Sequence, residues 1–247
     1  MDKGPDDRRM AGEAAIALPS QATARFAGLL YLGTIVAGIF AQMFARSPLV
    51  VRGDAHATAV NILAHQDLYR AGLIGDLVML ACYVGVTAIF YAMFRPAGRT
   101  LSLAAAGFSM TGIAVLAVDG FFHIAPLHLL GGAPYLQALG TDQLQALALL
   151  SLGLHGDGYD ISLVFFGVYC LLLGYLAFRS RLVPRIIGVL MAVAGVCYLV
   201  GSVADLAAPA LAARLPAQIL VPTLLGEGAL ALWLLIFGLR PARTQRD

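Results

Sequence analysis

RAGLIGDLVMLACYVGVTAIFYAMF, residues 70–94, decides the class of this protein. About 20 mostly apolar residues are what a helix needs to cross the roughly 30 Å hydrocarbon core of a bilayer. This run supplies them with a single acid, Asp76, inside. Runs of the same character lie at 25–46, 100–126, 157–178, 184–204 and 217–239. The expectation is an all-α polytopic membrane helix bundle with six transmembrane helices.

Composition points the same way. The chain is 60% hydrophobic and 12% charged, with a mean hydropathy of +0.83, which excludes an ordinary soluble domain. A formal charge of +2 is too small to suggest nucleic acid, so the lipid bilayer is the implied partner. Cys82, Cys170 and Cys197 each sit inside an apolar run and read as small buried hydrophobes. Residues 1–22 lack a continuous apolar stretch of signal-peptide length. They are read as a disordered cytoplasmic tail, 23–240 as the transmembrane domain and 241–247 as a second tail.

Arginines set the expected orientation. Arg8, Arg9 and Arg25, Arg95 and Arg99, Arg179, Arg181 and Arg185, and Arg240, Arg243 and Arg246 fall on one side of the six runs. Arg46, Arg52, Arg70 and Arg214 fall on the other, with Asp54, Asp67 and Asp142 beside them. The positive-inside rule then places both termini in the cytoplasm. The short inner links RPAGR and RSRLVPR pair spans two with three and four with five. Pro184 suits the first turn of the fifth span. In the longer outer links, Asp54 can cap a helix in AHATAVNILAHQDLY, and Thr141 can cap a second in DQLQALALLSLGL. Glycines 28, 33, 38, 188, 195, 226 and 228 read as close-packing positions between spans.

The ionisable residues within the runs carry the functional question, because a charge at membrane depth costs several kcal/mol on most scales. Asp76 lies about 9 Å below the outer surface at ~1.5 Å per residue. Asp119 and His123 stand at i and i+4 in the outer third of the third span, on one helix face. His155, Asp157 and Asp160 open the fourth span, and Glu227 reaches mid-depth in the sixth. The functional reading is an outward cleft lined by Asp76, Asp119, His123, His155, Asp157, Asp160 and Glu227. The competing reading lets Asp119 and His123 pair with each other, the 155–160 group cap a helix, and Asp76 and Glu227 hold structural hydrogen bonds. Asp119, His123, His155 and Asp160 are a candidate ligand set for a divalent metal such as zinc. No diagnostic motif of the H-E-x-x-H or G-x-S-x-G type accompanies them.

HGDGYDISLVFFGVYCLLLGYLAFRSRLVPRIIGVLMAVAGVCYLVGSVADL, residues 155–206, carries the further elements FFG at 165–167, LLLGYL at 171–176, RS at 179–180, PR at 184–185 and GVL at 188–190. With RFAGLLYLGTIVAG at 25–38, these resemble the bacterial membrane proteins grouped as domain of unknown function 4386, over most of residues 24–240. The resemblance implies a multi-helix protein of a bacterial inner membrane and no particular activity. Three functions remain in play. The cleft can bind or transport a small ligand, cation or proton. It can serve a metal-dependent or lipid-modifying enzyme at the outer leaflet, or the chain can be an accessory or sensory subunit without chemistry of its own.

Overall fold

The computed structural model describes residues 19–215, 219 and 221–240, so the expected tails lie outside the described residues except at their inner edges. Helix α1 runs Gln21–Ile39 and continues without a break into a π-helical segment, Phe40–Arg46. It is followed by α2 (Ala55–Ala64), α3 (Gln66–Phe94), α4 (Arg99–Leu129), α5 (Thr141–Ser180), α6 (Arg185–Ala207), the short α7 (Pro209–Ala212) and α8 (Val221–Phe237). Among the described residues there is no strand. Five helical stretches are long and apolar enough to cross a membrane: Gln21–Arg46, Gln66–Ala97, Arg99–Leu129, Thr141–Ser180 and Arg185–Ala207. The described part of α8 is apolar but shorter.

The long helices close into a ring. Neighbours pack in the order α1, α3, α4, α5, α6, α8 and back to α1, so α1 and α5 face each other across it. Large apolar side chains cover the outside, among them Phe26, Val36, Ile74, Val118, Phe121, Ile161, Leu225 and Ile236, all exposed. That is the surface a lipid-facing bundle presents and a water-soluble one avoids. Inside, Phe90, Met93, Phe94, Leu173, Leu176 and Leu234 pack one half of the ring.

Backbone approaches hold the ring together. A Cβ at Gly174 would meet the carbonyl of Gly188 at 2.6 Å, and one at Gly195 the carbonyl of Gly167 at the same distance. Gly28 and Gly226 are equally tight against α8 and α6. The packing expected of these glycines is therefore present at most positions, while Gly228 faces open space. At one end, Gln21 clamps α1 to the end of α8. Its amide donates to the Leu239 carbonyl and accepts from the Leu239 N–H, each at 2.8 Å. Arg240 N donates to the Leu182 carbonyl at 2.8 Å beside them. Arg25, Arg95, Arg99, Arg179, Arg181, Arg185 and Arg240 gather at this end, and none of the described acids does.

The opposite end is built differently from the expectation in one respect. Asp54 caps α2 as anticipated, accepting from Ala57 N at 2.8 Å. The helix expected over 142–154 is not separate: it fuses with the fourth span into the single 40-residue α5, capped at Gly140 rather than Thr141. Glycine in a helix interior costs up to about 1 kcal/mol relative to alanine, and Gly153, Gly156 and Gly158 all lie inside this helix. Burial overrides that cost, because Ala148 and Leu152 are buried and α2 packs along this part of α5. At ~1.5 Å per residue α5 is about 60 Å long, twice a hydrocarbon core. Pro184 likewise sits one residue before the first turn of α6, at its N-cap.

Replacing Gly195 by alanine should lower the unfolding temperature in detergent, since overpacking costs about 1–3 kcal/mol. Gly107→Ala, at an exposed helical site with nothing within 4 Å, should leave it unchanged or raise it. Equal behaviour of the two would show that close backbone contact does not hold α5 against α6.

Candidate functional site

The site begins where α1 widens. The π-helical segment Phe40–Arg46 ends with Arg46 turned into the ring and 4% exposed. Single π turns inside α-helices are frequent at functional positions. Arg46 Nε donates to Gln42 Oε1 at 3.0 Å, one turn back. Its Nη1 makes an ion pair with Asp76 of α3 and lies 3.1 Å from His123 Nδ1 of α4. That same Nδ1 is 3.0 Å from Asp76 Oδ2. Guanidinium only donates, so Nδ1 accepts from Arg46 or donates to Asp76, and cannot do both at once. Tyr69 fixes the imidazole, with its hydroxyl donating to the His123 carbonyl at 2.5 Å and its ring edge-on to the imidazole at 4.8 Å.

A second carboxylate–imidazole pair faces the first. His155 Nδ1 of α5 lies 2.6 Å from Asp119 Oδ2 of α4, without the alignment of a hydrogen bond. Gly158 makes the approach feasible, since a Cβ there would overlap the Asp119 carboxyl. The His123 and His155 rings are 5.3 Å apart. One chain of groups therefore runs Arg46, Asp76, His123, His155, Asp119. One guanidinium and two carboxylates leave a net negative charge, which one proton on either imidazole cancels. Burying an uncancelled charge is expensive, and Arg46 is the described cation that pairs within this chain of groups. His123 Nε2 is buried without a partner.

Two spaces meet at this chain. A small pocket of about 30 Å³, enough for a water molecule, is bordered by Arg46, Asp76, Asp119, His155 and Tyr159. A larger open cavity of about 730 Å³ lies between the end of α1 and the middle of α5, bordered by Arg46, Arg52, His155, Tyr159 and Asp160 with Val50, Leu149 and Leu152. It is the vestibule of the ring, and His155 belongs to both spaces.

The residues expected to form the cleft divide. Asp76, Asp119, His123 and His155 come together, and spans three and four meet where their polar residues lie. Asp160 stands on the vestibule wall and Asp157 is exposed. The pairing of Asp119 with His123 does not occur, because each finds a partner on another helix. Glu227 is not in the vestibule. It is buried elsewhere in the ring among Tyr83, Cys170 and Tyr198. Among the described residues, no three of His, Cys, Asp and Glu converge to hold a metal ion. Sequence reasoning missed Arg46, read there as a surface charge. The signal was available: it is the basic residue at the edge of a run facing several intramembrane acids. Tyr69 and Tyr159 carry no such mark.

Residues 26–238 match the family model for domain of unknown function 4386 (DUF4386). The chain belongs to that family. With its helices apolar enough to span a bilayer, it is a membrane protein of the DUF4386 family, as the resemblance of residues 155–206 implies. No curated protein and no solved structure matches the chain.

Removing Arg46 alone should be costly. Arg46→Met leaves Asp76 without its cation and should destabilise the protein by about 3–5 kcal/mol. The double variant Arg46→Met/Asp76→Leu should recover most of that loss, read by denaturant unfolding in detergent. Additive losses would mean that the two side chains do not act as a pair.

Proposed function

We propose that this DUF4386 protein is a six-span protein of a bacterial cytoplasmic membrane, with both termini in the cytoplasm, that binds or transports a small ionisable ligand through the vestibule. The observation that carries the reading is the pair of facing Asp–His units, of which His155 borders an open cavity of about 730 Å³. Imidazoles backed by carboxylates exchange protons near neutral pH. A ligand entering past Arg52 and Asp160 meets His155 with Asp119 behind it, and a proton gained or lost by the ligand is matched on the imidazoles. Gathering of the arginines at one end supports the orientation, with the vestibule then opening outward.

A second reading draws on the same dyad. His155 oriented by Asp119 beside a wall of Val50, Leu149 and Leu152 also fits a general base acting on a lipid headgroup at the outer leaflet. Turnover of a phospholipid by the purified protein, lost in His155→Gln, would favour the enzyme over the binding protein.

Two measurements test the main reading. Thermal shift in detergent against a panel of small amines, carboxylates and phosphate esters should find a stabilising compound whose effect disappears in His155→Gln and Asp119→Asn. A compound stabilising those variants as much as the parent binds elsewhere. For orientation, an impermeant thiol reagent added outside cells should label Gly132→Cys and miss Ala97→Cys. The reverse pattern would put the vestibule on the cytoplasmic side.

A further inference from the structure

Glu227 is buried inside the ring and is not among the residues bordering the vestibule. Four other helices contribute side chains around it. Tyr198 of α6 donates to Oε2 at 3.2 Å. Tyr83 of α3 and Cys170 of α5 approach Oε1 at 3.5 and 3.6 Å. Tyr31 of α1 comes near without completing a hydrogen bond, and Tyr169 of α5 stands close by. Glu227 itself is 9% exposed on α8. Among the described residues no basic side chain pairs with it. A carboxylate in a low-dielectric interior without a cation is costly, whereas a carboxylic acid is not.

A satisfied structural acid would end the matter, but the surroundings are not satisfied. The hydroxyl of Tyr169, on a side chain 1% exposed, has no hydrogen-bond partner. Orphaned donors of this kind are rare in native interiors and call for an occupant such as water. Tyr198 of α6 and Tyr159 of the adjoining α5 are both partly buried against the same core. Tyr159 also borders the vestibule and the small pocket.

We propose that Glu227 is a proton-binding site inside the ring, exchanging its proton with the vestibule through Tyr198 and Tyr159. On uptake, the Tyr198 O–H bond breaks as a bond forms from the proton to Glu227 Oε2. The Tyr198 oxygen takes the hydroxyl proton of Tyr159, directly or across a water, as Tyr159 takes one from a hydronium ion in the vestibule, which becomes water; release runs in reverse. Only O–H bonds change. This site requires no ligand in the vestibule, so it stands or falls separately from the preceding proposal.

The sequence offers a clean probe, because its only glutamates are Glu13 and Glu227. The Glu13→Gln protein, grown with carboxyl-¹³C glutamate and reconstituted in liposomes, carries one labelled side chain. Infrared difference spectra should show its carboxylic acid band converting to carboxylate as pH rises, and shifting on transfer to D₂O. Tyr198→Phe and Tyr159→Phe should each slow the D₂O exchange roughly tenfold, the factor that ~1.4 kcal/mol on a barrier produces. A labelled band indifferent to pH and D₂O would overturn the proposal. So would exchange at the parent rate in both tyrosine variants, or a band that follows sodium concentration at fixed pH, which would make Glu227 a cation site.

Discussion

The inward turn of Arg46 is the constraint on which the polar end of the ring depends. Asp76 and Asp119 bring two carboxylates beneath a lipid-facing wall, and the described basic residue that reaches them is Arg46. An α-helix ending at the same place would aim that side chain about one residue's rotation away. The π segment supplies the difference, and Gln42 holds the guanidinium at its other edge. With Asp76 paired to Arg46, His123 packs edge-on against Tyr69, and Asp119 stands against His155 on the far side. Each later feature follows from that first cancellation. Gly158 admits the Asp119 carboxyl, and the long unbroken α5 carries His155 into the wall of the vestibule.

Much of this was legible in the chain and some was not, for identifiable reasons. Spans were readable because a bilayer demands about 20 apolar residues and the sequence supplies them between arginine-bearing links. The Asp54 cap was readable because its donors are local. Depth counting brought Asp76, Asp119, His123 and His155 to one level, and they do share a cluster. What failed was pairing. Asp119 and His123 share a face at i and i+4, yet interhelical partners won over the intrahelical one, and nothing in one helix reveals who stands opposite. Depth alone also merged Glu227 with the vestibule, although α8 delivers it to a different sector of the ring. The separate outer helix over 142–154 failed because interior glycines are a weak term beside the burial of Ala148 and Leu152.

Polarity is graded along the axis of the ring. The vestibule end has arginines, acids and imidazoles around open space. Beyond Tyr159 come hydroxyls and one carboxyl, and beyond these Phe90, Met93, Phe94, Leu173 and Leu176 close the ring without an ionisable group. A fully polar axis would conduct ions without selection, and a fully apolar one would leave the buried acids without purpose. On the proposed function, an axis graded in this way would admit charge from one end and stop it short of the arginine-rich end. Passage to that side would therefore need the apolar half to open.

Where opening could occur follows from the packing. The α5–α6 seam is fixed by backbone contact at Gly167, Gly174, Gly188 and Gly195, where no side chain can slide. The α1–α8 seam has one such approach at Gly28 and is otherwise fastened at the arginine-rich end by the Gln21 clamp to Leu239. Gly238 (φ +67°) makes that clamp possible, since the Gln21 amide occupies the space a Cβ would need. A two-hydrogen-bond clamp on a left-handed glycine gives way more cheaply than a run of interlocked backbone. Rupture of the Gln21–Leu239 contact would thus cost less than parting the α5–α6 seam, and α8, which carries Glu227, is the helix it would release.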